Sequence, residues 1–412
     1  MSRSVAVIGS GMAGLAAAHG CRQRGDRVTV FEAHARHGMD AHTLRVDGGL
    51  VDVPLRVMNP SAWASVLALA EEVGVATFNV DTFTACSWAD GSTWFRSGRL
   101  PITGWPFVGS WRYLDPQALK MAIGLFKLHQ ALRNWHRYSE DLTLADFLQQ
   151  SDFDPLFWRG LVLPLLTTIC TCSEQHLLAW PARQLLSLLD TILHNGQLVR
   201  LKGGTSALVN GLAQGLDTLS GSPVTRVLQV ADGVEVCNAR GEGGVYDAVI
   251  VATQANQLGF LDDGQFGDER AALAAVRFDD GELVVHKDAR FMPRLRRDWT
   301  ALSFQMDRQL SQPMFTVWVN AVEPSLQDKD DVFQTWNPQF EPAPDSIVAR
   351  VPLQRAVVHG GTNAVHAQLN QWHAQPGRRL FYCGAWAYHG VPLLESAVRS
   401  ARAAVEALHG AH

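Results

Sequence analysis

The sequence predicts an α/β fold built on a parallel, nucleotide-binding sheet, and three observations carry that prediction. A β-branched run, Ser4-Val5-Ala6-Val7-Ile8, leads directly into Gly9-Ser10-Gly11-Met12-Ala13-Gly14. A helix-forming run follows at Leu15-Ala16-Ala17-Ala18, and Gly25 marks its turn. A second strand, Val28-Thr29-Val30-Phe31, then ends in the acid Glu32. Strand, GxGxxG, helix, strand and acid at this spacing form the Rossmann-like fingerprint of dinucleotide binding.

Each position has a physical task. Gly9 permits the tight turn, Gly11 lets the backbone approach a pyrophosphate, and Gly14 lets helix and strand pack closely. The helix N-terminus, at Met12 and Ala13, presents free N–H groups and a positive dipole end to the phosphates. Glu32 sits where an acid accepts hydrogen bonds from ribose hydroxyls, and it would repel the 2′-phosphate of NADP.

At 412 residues the chain is long enough for two or three domains of about 150 residues each. Hydrophobic residues make up 47% and charged residues 18%, which excludes a disordered chain. A formal charge of -5 implies no dominant basic surface, so nucleic acid is not an expected partner. Glycine interrupts the apolar stretch 5–8 at once, so it does not read as a secretory leader. No apolar run is long enough to span a membrane. The cysteines (Cys21, Cys86, Cys170, Cys172, Cys237, Cys383) contain no CxxC pair and no zinc spacing. No metal is expected; the thiols read as reduced and partly buried, and the location as cytoplasmic. HExxH, GxSxG and Walker A motifs are absent.

The residues after Glu32 narrow the dinucleotide by resemblance. Glu32-Ala33-His34-Ala35-Arg36-His37-Gly38 resembles the E-x-x-x-R-x-G-G continuation of flavoenzymes in the amine oxidase and phytoene desaturase superfamily, with Met39 replacing the second glycine. Leu201-Lys202-Gly203-Gly204-Thr205 and Pro223-Val224-Thr225-Arg226-Val227 resemble later segments of the same superfamily. So does the C-terminal pair Leu380-Phe381-Tyr382-Cys383-Gly384-Ala385-Trp386 and Glu395-Ser396-Ala397-Val398-Arg399-Ser400-Ala401, a strand, glycine turn and helix. Ala385 stands where an acid is usual, and Ala401 where the helix has glycine. The resemblance implies FAD as cofactor. It implies contacts at Ala33 and Arg36, at Val224 on the adenine side, and at Gly384, Ala385 and Glu395 toward the flavin. Looser matches, among them Leu50-Val51-Asp52-Val53-Pro54, resemble a branch of predicted NAD/FAD-binding proteins often found beside cyclopropane fatty acid synthases. Pro54 departs from that branch, which has glycine there.

These segments lie far apart. One FAD-binding domain is therefore expected from residues 1–60, 195–260 and 375–412, with an α+β substrate-binding domain from 61–194 and 261–374. Within the latter, residues 118–138 carry Ala118, Met121, Ala122, Leu125, Leu128, Leu132 and Trp135 close to a helical period. Pro164 and Pro181 are expected to break the apolar series 158–193. Residues 282–286 and 315–319 read as strands.

Bound FAD would accept a hydride, so no protein nucleophile is required. Eight tryptophans in the first insert, Trp63 to Trp180, read either as core or as walls of an apolar tunnel. Lys120, Lys127, Arg133, His136 and Arg137 among the apolar residues of 118–138 read as a solvated helix face or as a peripheral membrane contact. His389, just after the glycine turn, is the expected proton acceptor. His42 would position the flavin or tether it covalently. The resulting expectation is an FAD-dependent oxidoreductase that oxidises, desaturates or isomerises an apolar, acyl-chain or polyene-like substrate. The alternatives are a flavin amine oxidase acting on a small amine, and a non-catalytic FAD-binding partner of a lipid or natural-product enzyme. An NAD-dependent dehydrogenase fits the first motif but leaves the C-terminal one unexplained.

Overall fold

A computed structural model describes residues 2–38, 43–99, 106–108, 116–170, 172–194, 197–311 and 313–410. Ser4–Ile8 and Ala248–Val251 are almost wholly apolar and buried, as strands covered on both faces must be. They form the centre of a five-stranded parallel sheet. Its order is Asp217–Leu219, Arg27–Phe31, Ser4–Ile8, Ala248–Val251, Leu380–Tyr382. Helices Met12–Gln23, Ala64–Glu72, Gly204–Ala213 and Leu394–Gly410 pack on one face. The other face carries the antiparallel ribbon of Val224–Val230, Gly233–Asn238 and Gly243–Tyr246, with helices Asp263–Leu273 and Thr362–His373.

A second sheet has eight strands, drawn from residues 84–108 and 277–357. Its long edge pair, Arg277–His286 with Ile347–Val357, is antiparallel. One part of it packs on the hairpin Thr43–Val46 and Gly49–Asp52 through Val46, Val51, Val53, Leu283 and Val351. Another part meets a helical lobe through Cys86, Phe304, Val357 and Val358.

That lobe contains helix Pro116–Arg133, whose buried row is Met121, Leu128 and Leu132. Gly124 lets it lie directly on the Phe157 ring; a Cβ there would overlap that ring. Leu125, expected on the buried row, is instead exposed together with Leu119, Ile123 and Phe126. The helix ends before Trp135, which starts a separate 3₁₀ turn, Trp135–Arg137. Pro164 does not break its helix either. A wide π turn, Trp158–Val162, precedes it, and Leu163–Cys170 continues as α-helix. Cys170 and Cys172 lie at this helix end, and burial raises both thiol pKa values, that of Cys172 to about 12. No helix among the described residues is long and apolar enough to cross a membrane.

Two neutral histidines make the fold acid-sensitive. His286 is fully buried; its Nε2–H donates to Thr335 Oγ1 (2.8 Å), and its Nδ1 accepts the Asp288 N–H (3.2 Å). Burial lowers its pKa from 6.5 to about 4, against the pull of Asp288. In His373 burial, helped by Arg378, has the same result, and its Nε2 accepts the Tyr382 N–H. Both rings are neutral when folded and gain a proton on unfolding below pH 6.5. Stability therefore falls as pH drops from 6.5 toward 4, by about 3 kcal/mol per ring at most. In urea unfolding at pH 7.5 and pH 4.5, His286→Asn should show a shallower loss than the parent chain; an equal loss would refute the assignment.

Candidate active site

The glycine turn is built as its spacing requires. Gly9, at φ +99°, donates its N–H to Phe31 O (2.8 Å) and so ties the turn to the second strand. A Cβ on Gly14 would run into the Gly9 carbonyl. Gly11 differs, because its φ of −66° suits any residue and a Cβ there would meet no protein atom within 4 Å. The chain itself does not need glycine at that point. Helix Met12–Gln23 starts there with no side-chain cap and no acid in its first turn, so its N-terminal N–H groups face an open cradle. Met12 and Ala13 are buried in that first turn.

Glu32 is buried beside the cradle. It accepts from Ser10 N (2.8 Å), Ser10 Oγ (2.5 Å) and His34 N (2.8 Å). The following loop folds back over the turn, with Gly38 N on Ser10 O (2.9 Å). Ala33 and Arg36 are exposed on this loop, and no described residue pairs with Arg36. Gly221 N and Ser222 N donate to His34 O and Glu32 O, which brings the half-buried Val224 to the same end of the sheet. Met39 and His42 lie outside the described residues.

At the other end of the site, Cys383 N donates to Val251 O, and Gly384 follows. Ser400 Oγ bridges the N–H and carbonyl of Gly384 at 2.9 Å each, locking the turn to helix Leu394–Gly410. Trp386 packs over Gly384 and donates its indole N–H to Thr253 O (3.0 Å). Ala385, which starts the 3₁₀ turn Ala385–Ala387, packs against the core beneath.

Over residues 12–295 the sequence matches the family of flavin containing amine oxidoreductases. The chain belongs to that family. Membership in this flavin-containing family gives FAD as the cofactor. A relative in Mycobacterium tuberculosis, by name the flavin-containing monoamine oxidase AofH, is 26% identical over 282 residues. That match spans 66% of this chain and 61% of the relative's length. Among solved structures, a cofactor-binding redesign of putrescine oxidase has a TM-score of 0.69 at 15% identity, covering 100% of this chain and 99% of the other. A protein of Exiguobacterium named for protoporphyrinogen oxidase has a TM-score of 0.67 at 15% identity, covering 100% of both. These two likenesses establish a shared fold.

The observed residues fit FAD. Gly11 opens the cradle a pyrophosphate needs, and Glu32 lies within reach of it. Two expected side chains have other duties. The carboxylate of Glu395 accepts from Ser65 N (2.9 Å), Val66 N (3.1 Å) and Arg399 Nε (2.8 Å). It caps helix Ala64–Glu72 and docks it on the C-terminal helix. His389 is exposed, its ring edge-on to His366 with centroids 4.8 Å apart. That outward position suits packing on His366 better than proton transfer from an enclosed substrate.

Sequence reasoning missed a buried ion cluster beneath the site. Arg200, fully buried, donates to Glu323 Oε2 (2.7 Å), Val322 O (2.8 Å) and Asp52 Oδ2 (3.3 Å). Asp52 Oδ1 also accepts from Thr205 N (2.9 Å) at the start of helix Gly204–Ala213. Gly204, at φ +70°, faces Asp52 so closely that a Cβ would sit 2.6 Å from Oδ1, which accounts for the second glycine of Gly203-Gly204. An acid at 52 and a Gly-Gly-Thr at 203–205 were the available signals, but nothing local connects them.

Proposed function

We propose that this protein oxidises an apolar, acyl-chain-like substrate through FAD held across the glycine turn and the C-terminal helix. The observation that carries the reading is the apolar cluster of the helical lobe. It runs from Trp94, Phe157, Trp158 and Leu163 to Val391 and Leu393, which lead directly into helix Leu394–Gly410. FAD supplies a hydride acceptor at the isoalloxazine N5. The chain's own residues bind and orient. The N–H groups of residues 12–14 and Arg36 receive the pyrophosphate, Glu32 the ribose, and Val224 the adenine side. Gly384, Ala385 and the backbone at 395 hold the flavin end. The apolar lobe excludes water from the reacting carbon. The exposed Leu119, Ile123 and Phe126 mark the face at which a bilayer would deliver such a substrate, although Lys120 and Lys127 beside them pair with Asp154 and Asp152.

A second reading, oxidation of a small amine, is favoured by the name of the mycobacterial relative. The purified protein should be yellow and release FAD on acid precipitation. Anaerobic mixing with a lipid panel should bleach the flavin; bleaching by amines alone would select the second reading. A flavin that stays in the pellet would point to a covalent tether and to His42.

A further inference from the structure

Along the inner row of strand Ile347–Val357, Val351, Leu353 and Val357 are buried and apolar, and Arg355 interrupts them. Its position in that row lies at a junction. Leu353 belongs to the apolar cluster that contains Val53 and is packed by Leu55. Val357 belongs to the helical-lobe cluster that reaches Val391 and Leu393, beside the C-terminal helix. An alternating strand places Arg355 between these clusters, where the cofactor lobe, the eight-stranded sheet and the helical lobe meet. Arg355 Nε is buried with no hydrogen-bond partner. Asp279, opposite it in register, points its carboxylate to Ser173 N and His176 Nδ1 instead.

Arg56 approaches from the cofactor lobe, directly after Leu55. Among the described residues its Nη1 donates to Pro54 O (3.2 Å) and Thr205 Oγ1 (3.4 Å). No described carboxylate bonds to either guanidinium. Asp52, whose charge acts on Arg56, is already taken by Arg200, Thr205 N and Thr43 Oγ1. Burial lowers the pKa of Arg355 to about 10, and the positive charge of Arg56 adds to that. Two like charges left together in a largely apolar junction are costly unless an anion joins them.

We propose that Arg56 and Arg355 form an anion subsite that holds the carboxylate or phosphate head of an apolar-chain substrate. This rests on the flavin reading of the site and adds a head group to the apolar chain. Guanidiniums suit such oxygens because their fork donates two parallel N–H bonds. The apolar clusters on either side of Arg355 would take the chain.

The test uses holoprotein, titrated in a calorimeter with decanoate, decyl phosphate and decylamine, with flavin absorbance followed in parallel. Either anion should bind and decylamine should not; the tighter anion identifies the head group. Arg355→Met should weaken anion binding about ten- to a hundred-fold, the scale of a lost charged hydrogen bond, at unchanged FAD content. Arg355→Lys should restore part of it. Arg56→Met reads the opposite wall independently and should weaken the same ligands. Equal anion affinity in Arg355→Met, or decylamine bound as tightly, would overturn the subsite. Loss of FAD from Arg355→Met would assign the guanidinium to the cofactor and overturn it as well. A yellow protein indifferent to these anions leaves the flavin reading standing without the subsite. A flavin-free protein that binds decanoate through Arg355 does the reverse.

Discussion

Gly11→Val is expected to abolish FAD binding while leaving the apoprotein folded. The residue's backbone is ordinary, and the space beside it holds no protein atom within 4 Å, so valine meets nothing in the chain alone. It fills the cradle at the uncapped helix N-terminus, where a pyrophosphate would have to lie. Flavin absorbance per protein should fall to background, and the thermal midpoint of the apoprotein should stay within a few degrees of the parent. Gly14→Ala is the contrasting variant. Its Cβ would collide with the Gly9 carbonyl, so it should lower stability with or without cofactor. Full flavin occupancy in Gly11→Val would show that the cradle has been misread.

The second large effect is expected from Arg200→Met. Methionine keeps an unbranched side chain there, but Asp52 and Glu323 then lose the cation both share in the interior. Removing one partner of a buried ion cluster costs about 3–5 kcal/mol, because the remaining charges are left without compensation. The urea midpoint should shift accordingly. FAD affinity should fall with it, since Asp52 also anchors the start of helix Gly204–Ala213. A shift below about 1 kcal/mol, the scale of an exposed pair, would mean water reaches the cluster.

The glycine turn and the acid after it were legible because their logic is local. Gly9, Gly11, Gly14 and Glu32 fall within one βαβ unit, and their spacing alone gives turn, helix start and acid. Glu395 was legible as part of a motif but not in its role, because its partners Ser65 and Val66 lie some 330 residues earlier. The setting of His389 was equally hidden: only the fold places it against His366 at the surface. No local window connects Arg56 with Arg355. The one available signal was an arginine within an otherwise apolar alternating row. Pro164 was misjudged because a π turn absorbs the proline, and turns of that kind carry no reliable sequence mark.

The order of the parallel sheet has a consequence for biosynthesis. Strand Ser4–Ile8 pairs early with Arg27–Phe31 but waits for its other neighbour at 248–251, and the sheet closes only with strand 380–382. Helix Met12–Gln23 waits longer still for the C-terminal helix that covers it, with Val405 set against Gly20. The parallel sheet is thus begun long before the strands that complete it are translated. Nascent chains halted before residue 380 should keep this edge open, bind no flavin and depend on chaperones, and a C-terminal truncation should harm the N-terminal motif most.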